Sequence, residues 1–473
     1  MLPRSHQATE ANSAAGTAVS SVSRSWNPSA PIARPIPLSS RSHVNRIDEG
    51  LSGALGAQKI IAQLNTHRSP VTRITLSHNS LGDQGVSLLF TFLCSPAGAR
   101  HRNNISEISL TSNGIGCRGL QAIAEYIQDN EALKTVWIAN NNLVFDPAAF
   151  SALADALNSS RLRFLSVTGN PRLGDAFAAG FLPLLRSPHL QELHINNVGL
   201  TRKSGSVIAE WVAGSGKGGG LCALTTLKCS ANSLGIRGVW QVIRAVQRGN
   251  WSLTKLEMYA NHLAGPQDAE EEDLSEESAD GEPLIRETED AWKESEHALH
   301  MAIRRNANMK RETEKEALNL LRYSRPLLVR PKSVPASAPS LPPSPPTDSS
   351  CLFPFHALPV ELKLHILALL TQTLSSAQRT RIYNYASDPL TLPPLLPALR
   401  RDASRGCLAD PSNFLGASIG FEVLGATSTG KGCADGKCMG IGNSLLCRRE
   451  EERTRFLETV GCRVYEPEPM GEV

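Results

Sequence analysis

The 473-residue chain carries a formal net charge of +3 at pH 7, and a balance this close to neutral excludes a global electrostatic case for nucleic acid or an anionic membrane as partner. It contains no run of about 18 uninterrupted apolar residues, which excludes a predicted transmembrane helix. With 36 Gly, 30 Pro and only 5% aromatics, part of a chain long enough for two or three domains, or for one repeat array with appendages, is expected not to pack.

Residues 1–45 are rich in Ser, Ala, Arg and Pro and hold a single acid, Glu10. They are expected to form a disordered tail. A mitochondrial presequence is the alternative that such a composition allows, but the prolines and the missing amphipathic stripe weigh against it.

From residue 46 the chain repeats itself, and the array is expected to span 46–266. VTRITLSHNSLGDQG starts at Val71, ISEISLTSNGIGCRG at Ile105, LKTVWIANNNL at Leu133 and LRFLSVTGNPRLGD at Leu162. LQELHINNVGL follows at Leu190, LTTLKCSANSLGIRG at Leu224 and LTKLEMYANHL at Leu253. The starts lie about 28 to 34 residues apart, a period that signals stacked supersecondary units. The apolar positions predict a short strand whose inward side chains stack on neighbouring copies. An Asn follows at 79, 113, 141, 170, 232 and 261, where its amide can satisfy the unpaired backbone of the turn. The fifth copy has Val198 at that place, after Asn196 and Asn197. The rest of each copy reads as helix, as in GVSLLFTFLC and GVWQVIRAVQ. One copy cannot bury its own apolar face, but a stack can. LGAQKIIAQLNTH (55–67) predicts the helix of a degenerate first repeat or an N-terminal cap.

These motifs resemble the leucine-rich repeats of the ribonuclease-inhibitor type, the class that includes the Ran GTPase-activating proteins. The resemblance implies an α/β solenoid, a horseshoe with strands on its concave face and helices outside. The residues flanking each central strand position would then face the concave surface. Candidate partner contacts there are Arg73, Glu107, Trp137, Phe164, His194, Lys228 and Tyr259. The charges of this face nearly cancel, which argues against a phosphate-tracking surface. Trp137 and Phe164 read as adjacent exposed aromatics among small polar residues, a composition suited to a protein-binding hot spot. Their alternative is to pack on neighbours and do nothing more. His194 reads as an ordinary surface residue. GSGKGGG (214–220) lacks the phosphate-loop spacing and reads as a lengthened connection.

After the repeats, 267–283 is an acidic insert expected to stay solvated; Ser275 and Ser278 stand among its acids. Residues 284–325 carry Trp292, Leu299, Ile303, Leu318 and Leu321 at helical spacing and are expected to cap the open end of the stack. Within them, Arg304, Arg305, Lys310 and Arg311 are expected to form a solvated basic helix face, with a nuclear import signal as the alternative reading. Residues 326–350 form a Pro/Ser linker containing Ser344-Pro345.

The last unit, 351–473, is expected to be small and mainly helical. Pro359 and Glu361 mark a helix start. The pattern Leu358, Pro359, Glu361, Leu362, Ile366, Leu370 resembles the first helix of an F-box, which implies docking on the adaptor of a cullin ubiquitin ligase. Here the helix follows the repeats rather than preceding them, and the continuation lacks tryptophan; an amphipathic helix of another small domain is the other reading. Cys433, Cys438, Cys447 and Cys462 could bind zinc tetrahedrally, but their spacing favours ordinary thiols. Cys94, Cys117, Cys222 and Cys229 read as small core residues of a reducing compartment. The whole layout is similar to a group of fungal ribonuclease inhibitor-like proteins, from which no activity carries over.

No catalytic constellation stands at recognisable spacing, so the chain reads as a non-enzymatic interaction scaffold with no cofactor, located in the cytoplasm, the nucleus or both. The alternatives are a ubiquitin-ligase substrate receptor and, with a small GTPase as partner, a Ran-type GTPase activator whose catalytic loops cannot be placed residue by residue.

Overall fold

The computed structural model describes residues 42–215, 224–261, 289–328, 358–391 and 448–468. Eight three-residue strands form one parallel sheet in strict chain order. They are β1 His43–Asn45, β2 Arg73–Thr75, β3 Glu107–Ser109, β4 Thr135–Trp137, β5 Phe164–Ser166, β6 Glu192–His194, β7 Thr226–Lys228 and β8 Lys255–Glu257. Between them run α1 Gly53–Thr66, α2 Gly82–Cys94, the single turn α3 Ala99–Arg102, α4 Cys117–Ile127, α5 Pro147–Ser159, α6 Gly174–Phe181, α7 Lys203–Ser215 and α8 Gly235–Gly249. Sequential parallel pairing needs a crossover after every strand, and the helices supply it.

The register brings equivalent repeat positions side by side. Ile74, Ile108, Val136, Leu165, Leu193, Leu227 and Leu256 pair in one row, and the first six are sealed from solvent. Leu76, Leu110, Ile138, Val167, Ile195 and Cys229, two residues on, point the same way into the core. The helices close it with residues such as Leu89, Phe90, Ile123, Phe150, Leu153, Phe177 and Val242. A period of two on the strand and about 3.6 on the helix is what lets one short repeat serve both layers.

Asparagines tie most repeats to their predecessors. Asn141 Oδ1 accepts from the backbone N–H groups of Asn113 (3.0 Å) and Ile115 (3.1 Å), while its Nδ2 donates to the carbonyls of Leu110 (3.1 Å) and Ala139 (3.0 Å). Asn170 repeats this on Asn141 and Leu143, and Asn232 on Val198 and Leu200. Asn79 does so on Glu49 and Leu51. The residue before each Asn holds a left-handed backbone: His78, Ser112, Asn140, Gly169, Ala231 and Ala260. That twist aims the amide back into the stack. In the fifth copy Asn197 takes the left-handed turn and Val198 is buried, so the ladder has no amide there.

Acids at the second helical position join neighbouring repeats. Asp83 Oδ1 accepts from the N–H groups of Gly116 (2.7 Å) and Gly119 (2.9 Å) at the start of α4. Asp175 takes the Thr201 N–H at 2.7 Å and the hydroxyls of Thr201 and Ser204 at the start of α7. Burial works against its charge, but these hydrogen bonds prevail and hold its carboxyl below the usual range. The glycines after these turns allow close helix contact: a Cβ on Gly205 would lie 2.5 Å from Gly238 Cα.

The first strand lies before the expected start of the array, and the helix of the expected cap runs past its expected end. β1 lies at 43–45, inside the stretch expected to be a tail, and pairs with β2. The helix of the expected cap, α9 Glu289–Leu328, runs past residue 325 and includes Pro326. Its Leu299, Ala302 and Ile303 pack on the repeat core. Arg305 is no solvated charge. It donates to the carbonyls of Val246, Gln247 and Asn250 at the end of α8 and lies 3.9 Å from the Trp251 ring centroid.

A second apolar cluster joins the far half of α9 to α10 Val360–Ala368, α11 Ser376–Ser387 and α12 Arg448–Thr459. It contains Ala317, Leu320, Leu367, Leu374, Ile382, Phe456, Leu457, Val460 and Cys462. The cap and the last unit therefore share one core rather than standing apart. Cys462 is buried in it, and burial pushes its thiol up to about 12, so it is a packing residue. Among the other cysteines Cys229 is buried, Cys117 half-buried and Cys94 exposed, the last correcting its core reading. Cys222, Cys433, Cys438, Cys447, residues 216–220 of the glycine-rich stretch, the acidic insert and Ser344-Pro345 lie outside the described residues. Among the described residues no helix is long and apolar enough to cross a membrane, and no three His, Cys, Asp or Glu residues are grouped to hold a metal.

Two outcomes test this account of the ladder. Asn141→Ala strands buried backbone groups on two repeats and is expected to cost about 3 kcal/mol in urea unfolding, whereas Asn197→Ala at the exposed turn costs under about 1 kcal/mol. Ala231→Gly relieves a left-handed alanine (φ 56°) and, after the extra chain entropy of glycine, is expected to stabilise by about 0.5–1 kcal/mol, read as a raised Tm.

Candidate partner-binding face

The first and third residue of each strand flank the buried central row, so they line the side of the sheet away from the helices. From β2 to β8 the first row reads Arg73, Glu107, Thr135, Phe164, Glu192, Thr226, Lys255, and the third reads Thr75, Ser109, Trp137, Ser166, His194, Lys228, Glu257. The structure thus brings six of the seven sequence candidates onto neighbouring strands. Tyr259 lies two residues beyond β8 and is 71% exposed.

The centre of the face is aromatic. Trp137 and Phe164 have ring centroids 4.2 Å apart. His194 meets Phe164 edge-on at 4.7 Å and Trp137 at 5.9 Å. Both large rings are half-buried rather than exposed as their sequence setting suggests, because they cover one another. His194 departs further. It is 8% exposed, not an ordinary surface residue, and its Nε2 stands 2.6 Å from Glu192 Oε1. Burial holds its pKa below the ordinary histidine value despite the Glu192 carboxylate, so the ring is neutral at pH 7 and donates this hydrogen bond. A reading of strand alternation alone could not find this, since burial of the third position depends on the size of both neighbours.

Charge on the flanks is paired in register. Arg73 meets Glu107 at 2.8 Å on β2–β3. Glu257 meets Lys255 at 2.7 Å and Lys228 at 3.5 Å on β7–β8. The cancellation expected from composition is therefore local. The face offers an aromatic centre between ion pairs.

At the N-terminal edge of the same strands the C-terminal segment returns to the repeats. Glu458 of α12 accepts from Arg163, just before β5, at 2.6 Å and from Arg463 at 2.6 Å. Tyr465 meets Trp251 edge-on with centroids 5.3 Å apart. Burial, then Arg163 and Arg161, draw the Lys134 amine down to about 8.

The helix singled out near Leu358 presents a different surface. Pro359 is its N-cap, and Glu361 sits in the first turn. Leu367 is buried against the second core, but Leu362 is 50%, Ile366 38% and Leu370 53% exposed. Leu358 is half-buried. These residues lie on an element distinct from the sheet.

A family model described as a leucine-rich repeat matches residues 101–124, which carry β3, Asn113 and the start of α4. Among solved structures, the chain is similar to the tropomodulin C-terminal domain of Caenorhabditis elegans at 17% identity, over 40% of this chain and 93% of that one, with a TM-score of 0.28. No curated protein matches it. Leucine-rich repeats serve in general as scaffolds for protein interaction.

The Glu458 contact generates a measurable expectation. Glu458→Ala leaves Arg163 and Arg463 without their shared carboxylate and should cost about 1–2 kcal/mol at this partly solvated site. Amides of 452–468 should then exchange roughly tenfold faster, with the amides of β2 and β3 unchanged.

Proposed function

We propose that the chain is a non-enzymatic scaffold that binds a protein partner on the open face of its repeat sheet, the concave face of a leucine-rich-repeat horseshoe. The observation that carries this is the Trp137–Phe164–His194 cluster at the centre of the face. A half-buried aromatic centre framed by self-neutralised charge has the makeup of an interface core with a polar rim. Arg73, Glu107, Lys228 and Tyr259 form the rim in this reading. Cytoplasm or nucleus suits it, and a small GTPase is one partner the binding experiment can reveal.

A second reading has one observation in its favour. Leu362 and Ile366 stand at helical spacing on the solvent side of α10, and Leu370 is exposed in the turn that follows, where a surface helix and its end ordinarily place polar residues. An adaptor of a cullin ligase, as the F-box resemblance implies, is the partner this stripe would hold, and the repeats would then carry a substrate.

Affinity purification of the full chain with mass spectrometry separates the two. Trp137→Ala is expected to weaken capture of the face-bound partner by about 2–4 kcal/mol, thirtyfold or more. If capture is unchanged, the face is not the site. Ile366→Glu with Leu370→Glu alters exposed residues only and should abolish co-purification of a cullin adaptor; if wild type captures none, the second reading fails.

A further inference from the structure

The three carboxylates on β2–β8 are not equivalent. Glu107 has Arg73 at 2.8 Å, and Glu257 has two lysines, Lys255 and Lys228. Among the described residues Glu192 has neither lysine nor arginine within ion-pair distance, and its carboxylate meets His194. That imidazole is neutral, for the reason given above, so the hydrogen bond at 2.6 Å orients the carboxylate without cancelling its charge. Glu192 is directly opposite Phe164 in the strand register, and Trp137 lies one strand beyond. Among the described residues of the face, Glu192 is thus the one carboxylate without a lysine or arginine ion pair of its own, Lys255 acting on it only from two strands away, and it adjoins the Trp137–Phe164 pair.

An aromatic ring attracts a cation over its π-surface, and a neighbouring carboxylate fixes where that cation stops. A planar guanidinium meets both demands, stacking on the rings and presenting its N–H fork to the carboxylate. An ammonium can satisfy only one fully at a time. We propose that the centre of the sheet face recognises an arginine side chain of its protein partner, with the guanidinium against Trp137 and Phe164 and paired to Glu192. This rests on the partner-binding reading above and narrows it to one ligand chemistry. His194 acts as a positioning residue, since it holds Glu192 Oε1 and leaves Oε2 for the incoming fork. The lysines of β7 and β8 bound the site on one side, Arg73 lies beyond β3 on the other, and their charge disfavours a second cation there.

The test uses the full-length protein and a displayed library of random peptides. Binders are sorted by whether they survive Trp137→Leu, then remade with citrulline for arginine, which keeps shape and removes charge. Glu192→Gln keeps the hydrogen bond from His194, and an unchanged Tm establishes that each variant is folded. Trp137-dependent peptides are expected to contain arginine and to lose about tenfold in affinity on citrulline substitution or in Glu192→Gln, with the two changes together costing little more than either alone. Trp137-dependent peptides that lack arginine, or that bind equally well as citrulline forms, overturn the arginine assignment and leave the partner-binding face standing. A library that yields no Trp137-dependent binder overturns both. The citrulline comparison leaves the protein untouched, so the result does not depend on any variant folding.

Discussion

Every repeat in this chain is too thin to bury its own turn, and the side-chain amide of an asparagine solves the problem for two repeats at once. Its oxygen takes two backbone N–H groups of the preceding copy, and its nitrogen serves carbonyls of both copies. Only a group with a donor and an acceptor on a short stem can do this from inside an apolar stack. The three-residue strands, the fixed register and the flat row of outward side chains all follow from that bond. If the turns were free to splay, the rows of β4 and β5 would not align, and Trp137 and Phe164 would not meet.

The repeat body was legible in the sequence because its physics restricts residue types. Central positions such as Ile74 and Leu227 must be apolar, and the ladder position must be Asn, so both recur visibly. The left-handed residue before the ladder was not legible, because His78, Ser112, Asn140 and Ala231 share a backbone angle and no side-chain property. β1 escaped notice for a related reason: its copy has Glu49 where Asn would announce it, and its three residues His43–Asn45 carry only one buried side chain. On the face, alternation identified which residues point outward but not how deeply each sits. His194 is buried because Trp137 and Phe164 crowd it, which depends on packing across three strands.

Contacts between distant segments left no trace in composition. Arg163 and Glu458 are 295 residues apart, and either alone reads as one more surface charge. The same holds for α9, whose two halves look alike as amphipathic helix but serve different cores. Arg305 seals the end of α8, and Ala317 and Leu320 begin a new cluster with α10, α11 and α12. The last unit is thus fastened to the repeats through one continuous helix and through the return of α12 to β5. A surface on α10 and a surface on the sheet are therefore held by one framework.

Val198 is the place where the amide chain lapses, between the repeats of β5 and β6. Two other features cross that same boundary. Asp175 reaches from one side to Thr201 and Ser204 on the other, and on the open face the Phe164 ring rests against His194. In a stack whose cooperativity is the sum of neighbour couplings, a missing link marks where the array divides into two folding blocks unless something else spans it. The aromatic cluster is then a rivet as well as a contact surface. On the proposed partner-binding reading, a ligand seated on it would clamp both blocks together, so occupancy of the face would be felt along the array as stiffness, far beyond the residues the ligand touches.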